Sequence, residues 1–258
     1  MSMTFRIAVT NQKGGAGKTT TSINLAGALA ARGHRVLGID LDPQGHFTEG
    51  VGYDELYDAN TTSMYDVLIN IGESRLINDV IVAGEEFDVV PSHVDMFKLE
   101  GELTTARRRE ERLGMALDAL ETNYDYVIID CPPNLGPITD NAILAARNLV
   151  IPAPTRSTAI RAMEILFDQI DVLSETYDVP ITQLAVVANE VTTDSEADEM
   201  LEWFGDVFGD TIPVFEIRKR VALQRAWNNG VSIFEHAEEC DMKAVYDDLA
   251  AHIEEISA

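Results

Sequence analysis

This sequence has little cysteine, little lysine for its arginine, and no long apolar run. Its two cysteines, Cys131 and Cys240, stand far apart and make no Cys-x-x-Cys or other ligand spacing, so neither a disulfide framework nor a paired-cysteine iron–sulfur site is expected. Only five of the 19 basic residues are lysine (Lys13, Lys18, Lys98, Lys219 and Lys243), and with 44 acidic residues the formal charge is -25. An acidic, lysine-poor surface suits a protein that must stay hydrated at high salt, and it predicts a salt-loving source whose melting temperature rises with KCl. There is no signal-peptide core and no uninterrupted apolar run of about 18 residues, so neither secretion nor membrane spanning is supported and the cytoplasm is the expected address. The five histidines have no i,i+4 or other ligand spacing and read as ordinary surface and core residues.

What is present is a rhythm. Short β-branched runs at Phe5–Thr10, Arg35–Asp40, Phe87–Pro91, Tyr126–Asp130, Leu149–Ala153 and Leu184–Asn189 read as strands. Helical patterns at Thr19–Ala31, Ser63–Ile69, Arg107–Glu121, Pro137–Ala146, Thr158–Thr176 and Ser195–Phe204 supply the crossovers. The alternation predicts an α/β fold with a doubly wound, mostly parallel sheet flanked by helices, and a ligand at the strands' carboxyl ends. No linker-like tract or repeat interrupts residues 1–258, which predicts one domain. A last helix at Asp241–Ile256 sets Met242, Val245, Leu249, Ile253 and Ile256 on one face. Its other face carries Asp247, Asp248, Glu254 and Glu255, which an anionic bilayer would repel, so a packed helix is expected and a membrane partner is not.

The chemistry begins at Lys13-Gly14-Gly15-Ala16-Gly17-Lys18-Thr19-Thr20, between the first strand and the first helix. A glycine-rich turn there lets backbone N–H groups converge on phosphate oxygens, Lys18 meets the β/γ-phosphate charge, and the Thr19 hydroxyl can ligate Mg²⁺. This predicts a nucleoside triphosphate site. The general P-loop pattern asks for glycine at position 12, where Gln12 stands, and the chain adds Lys13 beside it, which is the deviant form of the loop. Two carboxylate segments complete the expected site. Asp40-Leu-Asp42-Pro-Gln-Gly ends the second strand and offers an acceptor for a nucleophilic water, although the same residues are also ordinary turn chemistry. Tyr126-Val-Ile-Ile-Asp130 ends the fourth in Walker B fashion, so Asp130 is expected to hold Mg²⁺ through water. The Cys131-Pro132-Pro133 turn then brings backbone near the γ-phosphate.

These segments, together with Asn24-Leu25-Ala26, resemble the ParA/Soj partition ATPases within the ParA/MinD group of deviant Walker P-loop proteins, over nearly the whole chain. The resemblance implies an ATP- and Mg²⁺-dependent ATPase whose two copies join face to face, with Lys13 of each reaching the phosphates bound by the other. It implies that Lys18 binds phosphate, that Thr19 and Asp130 attend Mg²⁺, and that Asp42 positions the attacking water with Asp40 in support. Gly14 to Thr20 and Pro132 would cradle the nucleotide, and Asn189 matches roughly where the group contacts adenine.

Ile217-Arg-Lys-Arg-Val-Ala-Leu-Gln-Arg-Ala226 aligns with the family's Ile-Pro-Arg-Asn-Val-Arg-Leu-Ser-Glu-Ala segment, with Arg218 in place of proline and Ala222 in place of arginine. The family binds DNA non-specifically through basic residues in this part, so Arg218, Lys219, Arg220 and Arg225 are the expected DNA contacts, against the alternative of a merely solvated basic turn. Arg107-Arg108-Arg109, before Glu110 and Glu111, reads as a self-paired helix face. The implied function is a dimerising switch that binds nucleoid DNA with ATP and releases it when a ParB-like centromere-binding or cargo-adaptor protein stimulates hydrolysis. A MinD-like division-site regulator would need a basic amphipathic C-terminal helix, and a cobyrinate- or dethiobiotin-type synthetase would lack the Lys13 signature. The first strand begins by Phe5, so an operator-reading helix-turn-helix ahead of it is not expected.

Overall fold

The structure is a computed structural model that describes residues 4–70, 72, 74–209, 211–236 and 239–258. The strands are β1 (Phe5–Val9), β2 (Val36–Asp40), β3 (Asp88–Val90), β4 (Tyr126–Asp130), β5 (Asn148–Pro154), β6 (Thr182–Val191) and β7 (Val214–Arg218). The helices are α1 (Lys18–Ala31), α2 (His46–Gly50), α3 (Met64–Ile69), α4 (Met96–Leu103), α5 (Arg112–Leu117), α6 (Pro137–Ala146), α7 (Thr158–Tyr177), α8 (Ser195–Phe208), α9 (Val221–Asn228) and α10 (Met242–Ser257). All seven strands join one sheet in the order β3-β2-β4-β1-β5-β6-β7, and every strand pairing in it is parallel.

Alternation along the strands sorts the core into two layers, as a period of two requires. Ile7 and Val9 of β1 and Ile128 of β4 face a cluster shared with α1, α9 and α10, whereas Ala8, Val127 and Ile129 face the cluster under α3 to α8. Helices on both faces leave the carboxyl ends of β1, β2 and β4 as the open edge, and Val9, Asp40 and Asp130 lie side by side there in register.

Three sequence expectations change. The Arg107–Glu121 helix contracts to Arg112–Leu117. Arg108 adopts a left-handed φ of 51°, and the Arg112 guanidinium folds back to donate to the Arg107 carbonyl and across to the Leu68 carbonyl at 2.8 Å, so it caps α3 instead of extending a helix face. The arginine triplet does pair with its neighbours, through Arg108 to Glu111 at 3.0 Å and Arg109 to Glu110, but from a turn. On α10 the buried face is Met242, Tyr246, Leu249, Ala250 and Ile253, and Ile256 is 46% exposed. Finally, β7, α2, α4 and α9 form where no element was expected.

Candidate functional site

The loop between β1 and α1 owes its shape to glycine. Gly15 and Gly17 have φ of 70° and 91°, which side-chain-bearing residues rarely adopt. A Cβ on Gly17 would also lie inside the carboxamide of Asn189, so the end of β6 presses directly against the loop. Lys18 opens α1, is 6% exposed, and donates from Nζ to the Lys13 carbonyl at 3.2 Å, closing the loop on itself. Burial holds its ammonium below the ordinary lysine range, which the Asp130 carboxylate partly offsets.

Asp130 lies beneath the loop, fully buried. Its two oxygens accept from the Thr19 hydroxyl at 2.8 Å and the Ser22 hydroxyl at 2.7 Å. Desolvation pushes its carboxyl up to about 7, against those two hydrogen bonds and Lys18, which pull it down. Ser22 went unnoticed in the sequence although a signal was there, because Thr19 and Ser22 sit three residues apart on one helix face.

The β2 segment divides labour between its two carboxylates. Asp42 lines the cleft, while its Oδ1 accepts from the Gln44 N–H at 3.0 Å. Asp40 does not reach the cleft: it is fully buried, takes the Asp42 N–H on one oxygen at 3.0 Å, and takes the Thr48 N–H and hydroxyl on the other at 2.9 and 2.7 Å. Burial, and then the neighbouring Asp130, hold its carboxyl well above the usual range. Asp40 is therefore a brace that positions Asp42, not a group that could touch substrate. From the far side the Ser92 hydroxyl donates to the Asp42 carbonyl at 2.6 Å.

Together these elements bound a cleft of about 670 Å³ running from Gly14–Thr20 past Asp42, Gln44, His46 and Asn189 to the β7–α9 corner. Pro133 lines it. The expected Pro132 is buried instead and does not line the cleft, and the exposed position falls to Pro133. Lys13 is not among the lining residues; its Nζ donates to the hydroxyl of Thr158 at the start of α7. Arg218, Lys219 and Arg220 lie on the cleft's rim, and the expected concentrated positive patch is partly cancelled. Lys219 pairs with Glu190 at 3.6 Å, and Arg220 donates twice to Asp241 at 2.8 and 2.6 Å. Arg225 stands in the last turn of α9.

The donor set fits a magnesium nucleotide. Backbone N–H groups at a helix start, a buried lysine and glycines that supply positive φ at positions 15 and 17 suit phosphates. A hydroxyl against a desolvated carboxylate is the hard-oxygen pair a divalent cation takes, and a cation there would restore the ionised form of Asp130. Among the described residues no cluster of three or more His, Cys, Asp or Glu offers a self-sufficient metal site, so an ion here would share its shell with phosphate and water.

The AAA domain family pattern matches residues 4–183. Soj, the sporulation initiation inhibitor protein of Bacillus subtilis, is 35% identical over 250 residues, 96% of this chain and 97% of Soj. This chain belongs to the ParA/Soj family. Its similarity to the chromosome partitioning protein ParA of Caulobacter vibrioides is 34% over 256 residues, covering 96% of this ParA/Soj-family chain and 92% of that protein. The family fold extends to a solved structure of cobyrinic acid a,c-diamide synthase from Mycobacterium smegmatis with bound ATP analogue and magnesium. That structure superposes with a TM-score of 0.81 at 28% identity, over 96% of this chain and 93% of the other.

Proposed function

We propose that this chain is a partition ATPase: it binds ATP with Mg²⁺, joins a second copy of itself around the nucleotides, holds DNA non-specifically in that state, and lets go on hydrolysis. The observation that carries the reading is the different placement of two lysines in one loop. Lys18 is buried in its own cleft, whereas Lys13, five residues earlier, stays outside that cleft at the surface, where a partner copy could take it up. A cation delivered by a second molecule spreads charge on a transferring phosphoryl group as an arginine finger does. Asp42 is the acceptor for the attacking water, Asp40 sets its angle, Thr19 and Asp130 hold Mg²⁺, Gly14 to Thr20 cradle the phosphates, and Asn189 lies against the loop toward the base. The ion supplies charge neutralisation at the β- and γ-phosphates.

The Caulobacter relative, named for chromosome partitioning, supports the assignment to partition. A ParB-like centromere-binding or cargo-adaptor protein is the proposed activator, and the nucleoid is the proposed station of the ATP form. A membrane-bound, MinD-like role is disfavoured by α10, where Asp248 and Glu255 are exposed and Asp247 and Glu254 are tied to Arg32 at 2.8 and 2.7 Å. No helix among the described residues is long and apolar enough to cross a membrane.

DNA is proposed to meet Arg218, Lys219, Arg220 and Arg225. Cations already paired with Glu190 and Asp241 release few counterions, so each copy contributes a shallow salt dependence of about 0.9 in log K per phosphate contact per decade of salt. Binding that survives at high KCl then requires two copies. Electrophoretic shift assays across KCl concentrations, with non-hydrolysable ATP analogue or ADP, test this. The salt slope should double with the analogue, and equal slopes in both states would refute ATP-gated DNA binding.

A further inference from the structure

The cleft has two walls, and one side chain joins them. On one side stands the Asp42–Gly50 segment, with Asp42 at its start and α2 at its end. On the other is α9, which follows β7 and lines the cleft with Leu223, Gln224 and Trp227. The Trp227 indole N–H donates to the carbonyl of His46, the first residue of α2, at 3.2 Å. Its ring lies so close over Gly50 that a Cβ there would collide with it, and one residue-pair further along a Cβ on Gly230 would lie 2.9 Å from the Gly52 Cα. Both Gly52 and Gly230 hold positive φ, 81° and 71°, so the approach uses backbone that only glycine adopts readily. The α2–α9 contact is thus built at two successive points.

We propose that Trp227 is a positioning residue for hydrolysis, carrying occupancy of the nucleoside end of the cleft to the segment that aims Asp42. The other holds on that segment come from Asp40, from Ser92 and from Tyr57, whose hydroxyl donates to the Pro43 carbonyl at 2.6 Å. Asp40 accepts from the Asp42 and Thr48 N–H groups, and Ser92 donates from its hydroxyl to the Asp42 carbonyl and from its N–H to Thr48 Oγ1 at 2.8 Å. α9 differs. It follows the edge strand β7 and packs Ala222, Leu223 and Ala226 on the core while Gln224 stays exposed at the cleft, so a base seated against Gln224 displaces α9. Trp227 converts that displacement into movement of the His46 carbonyl, four residues from Asp42.

The inference rests on the proposed ATP hydrolysis with Asp42 as the water-positioning group. Trp227→Phe keeps the ring and removes the N–H, so it separates the hydrogen bond from the packing. We expect kcat to fall about three- to tenfold while KM for ATP stays within about twofold and the melting temperature is held, the loss being that of one hydrogen bond felt in the transition state. Trp203, the second tryptophan, packs against Phe204 and Phe208 and serves as an internal reference. The change in emission between ADP and non-hydrolysable ATP analogue should therefore be present in the wild type and absent in Trp227→Phe. A Phe variant that matches wild-type kcat, a parallel loss in kcat and affinity, or an analogue-induced change that survives the substitution would each overturn the inference alone. A wild-type protein that hydrolyses no ATP would overturn the functional reading and this inference together.

Discussion

At the scale of single residues the site depends on three aspartates given three environments. Asp130 is buried and desolvated under two hydroxyls, Asp40 is buried and fully occupied by backbone and Thr48, and Asp42 alone opens into the cleft. Only the last is free to accept from water. Asp42→Ala should leave affinity for ATP analogue within about threefold and lower hydrolysis at least a hundredfold, the usual range for a lost proton acceptor. Single-turnover measurements check it, and near-normal turnover would remove Asp42 from the role. Lys18, Thr19, Asp42 and Asp130, which the structure brings to the cleft and its floor, could be read from sequence because a phosphate loop and two strand-end carboxylates need fixed residue types in contiguous order, whereas the roles of Lys13 and Asn189 came only from the resemblance to the ParA/Soj family. Thr48, Ser92, Thr158 and Trp227 could not. Thr48 reaches back eight positions across a turn to Asp40, and the contacts of Ser92, Thr158 and Trp227 join residues far apart in the chain, Trp227 and His46 being 181 positions apart, so no helical or strand period encodes them.

At the scale of elements, legibility followed burial. β4 and α6 have the bounds the pattern predicts, because every residue of β4 is buried and Pro137 fixes the first turn of α6. β7 was missed since Ile217 is its buried residue and an edge strand gives periodicity little to work on, and the five-residue α2 is too short for a helical period to show. α10 illustrates how an acidic helix is held to an acidic protein. Arg32, at the end of α1, grips Glu254 with two hydrogen bonds of 3.0 and 2.7 Å, and His34 Nε2 meets the same carboxylate at 2.5 Å. Arg32 first and His34 after it pull the Glu254 carboxyl down to about 2. A depressed carboxyl stabilises the fold at pH above its unfolded value near 4.5, and the contribution is lost as pH falls from there toward 2. Because the pair is part-exposed, about 1 kcal/mol is the expected size. Glu254→Gln should thus be less stable than wild type by roughly that amount at neutral pH, with the gap closing through pH 4 to 2 in urea melts. A gap independent of pH would assign the loss to packing.

At the scale of the whole molecule, charge decides how two copies can meet. Each chain carries -25, so bringing two together is opposed at long range and favoured by salt, which screens that repulsion within about 10 Å at 0.1 M. The attractive part of the proposed encounter is local: a cleft whose donors suit phosphates, and a lysine outside that cleft five residues from its own P-loop lysine. Salt therefore acts in opposite directions on the two proposed steps, helping two acidic chains approach while weakening their hold on DNA. The central claim is that nucleoside triphosphate joins two copies, and mass in solution tests it most directly. Light scattering on the purified chain in KCl, with Mg²⁺ and non-hydrolysable ATP analogue, should give twice the 28.4 kDa of one chain, and ADP should give 28.4 kDa. A mass of 28.4 kDa with saturating analogue would contradict the account.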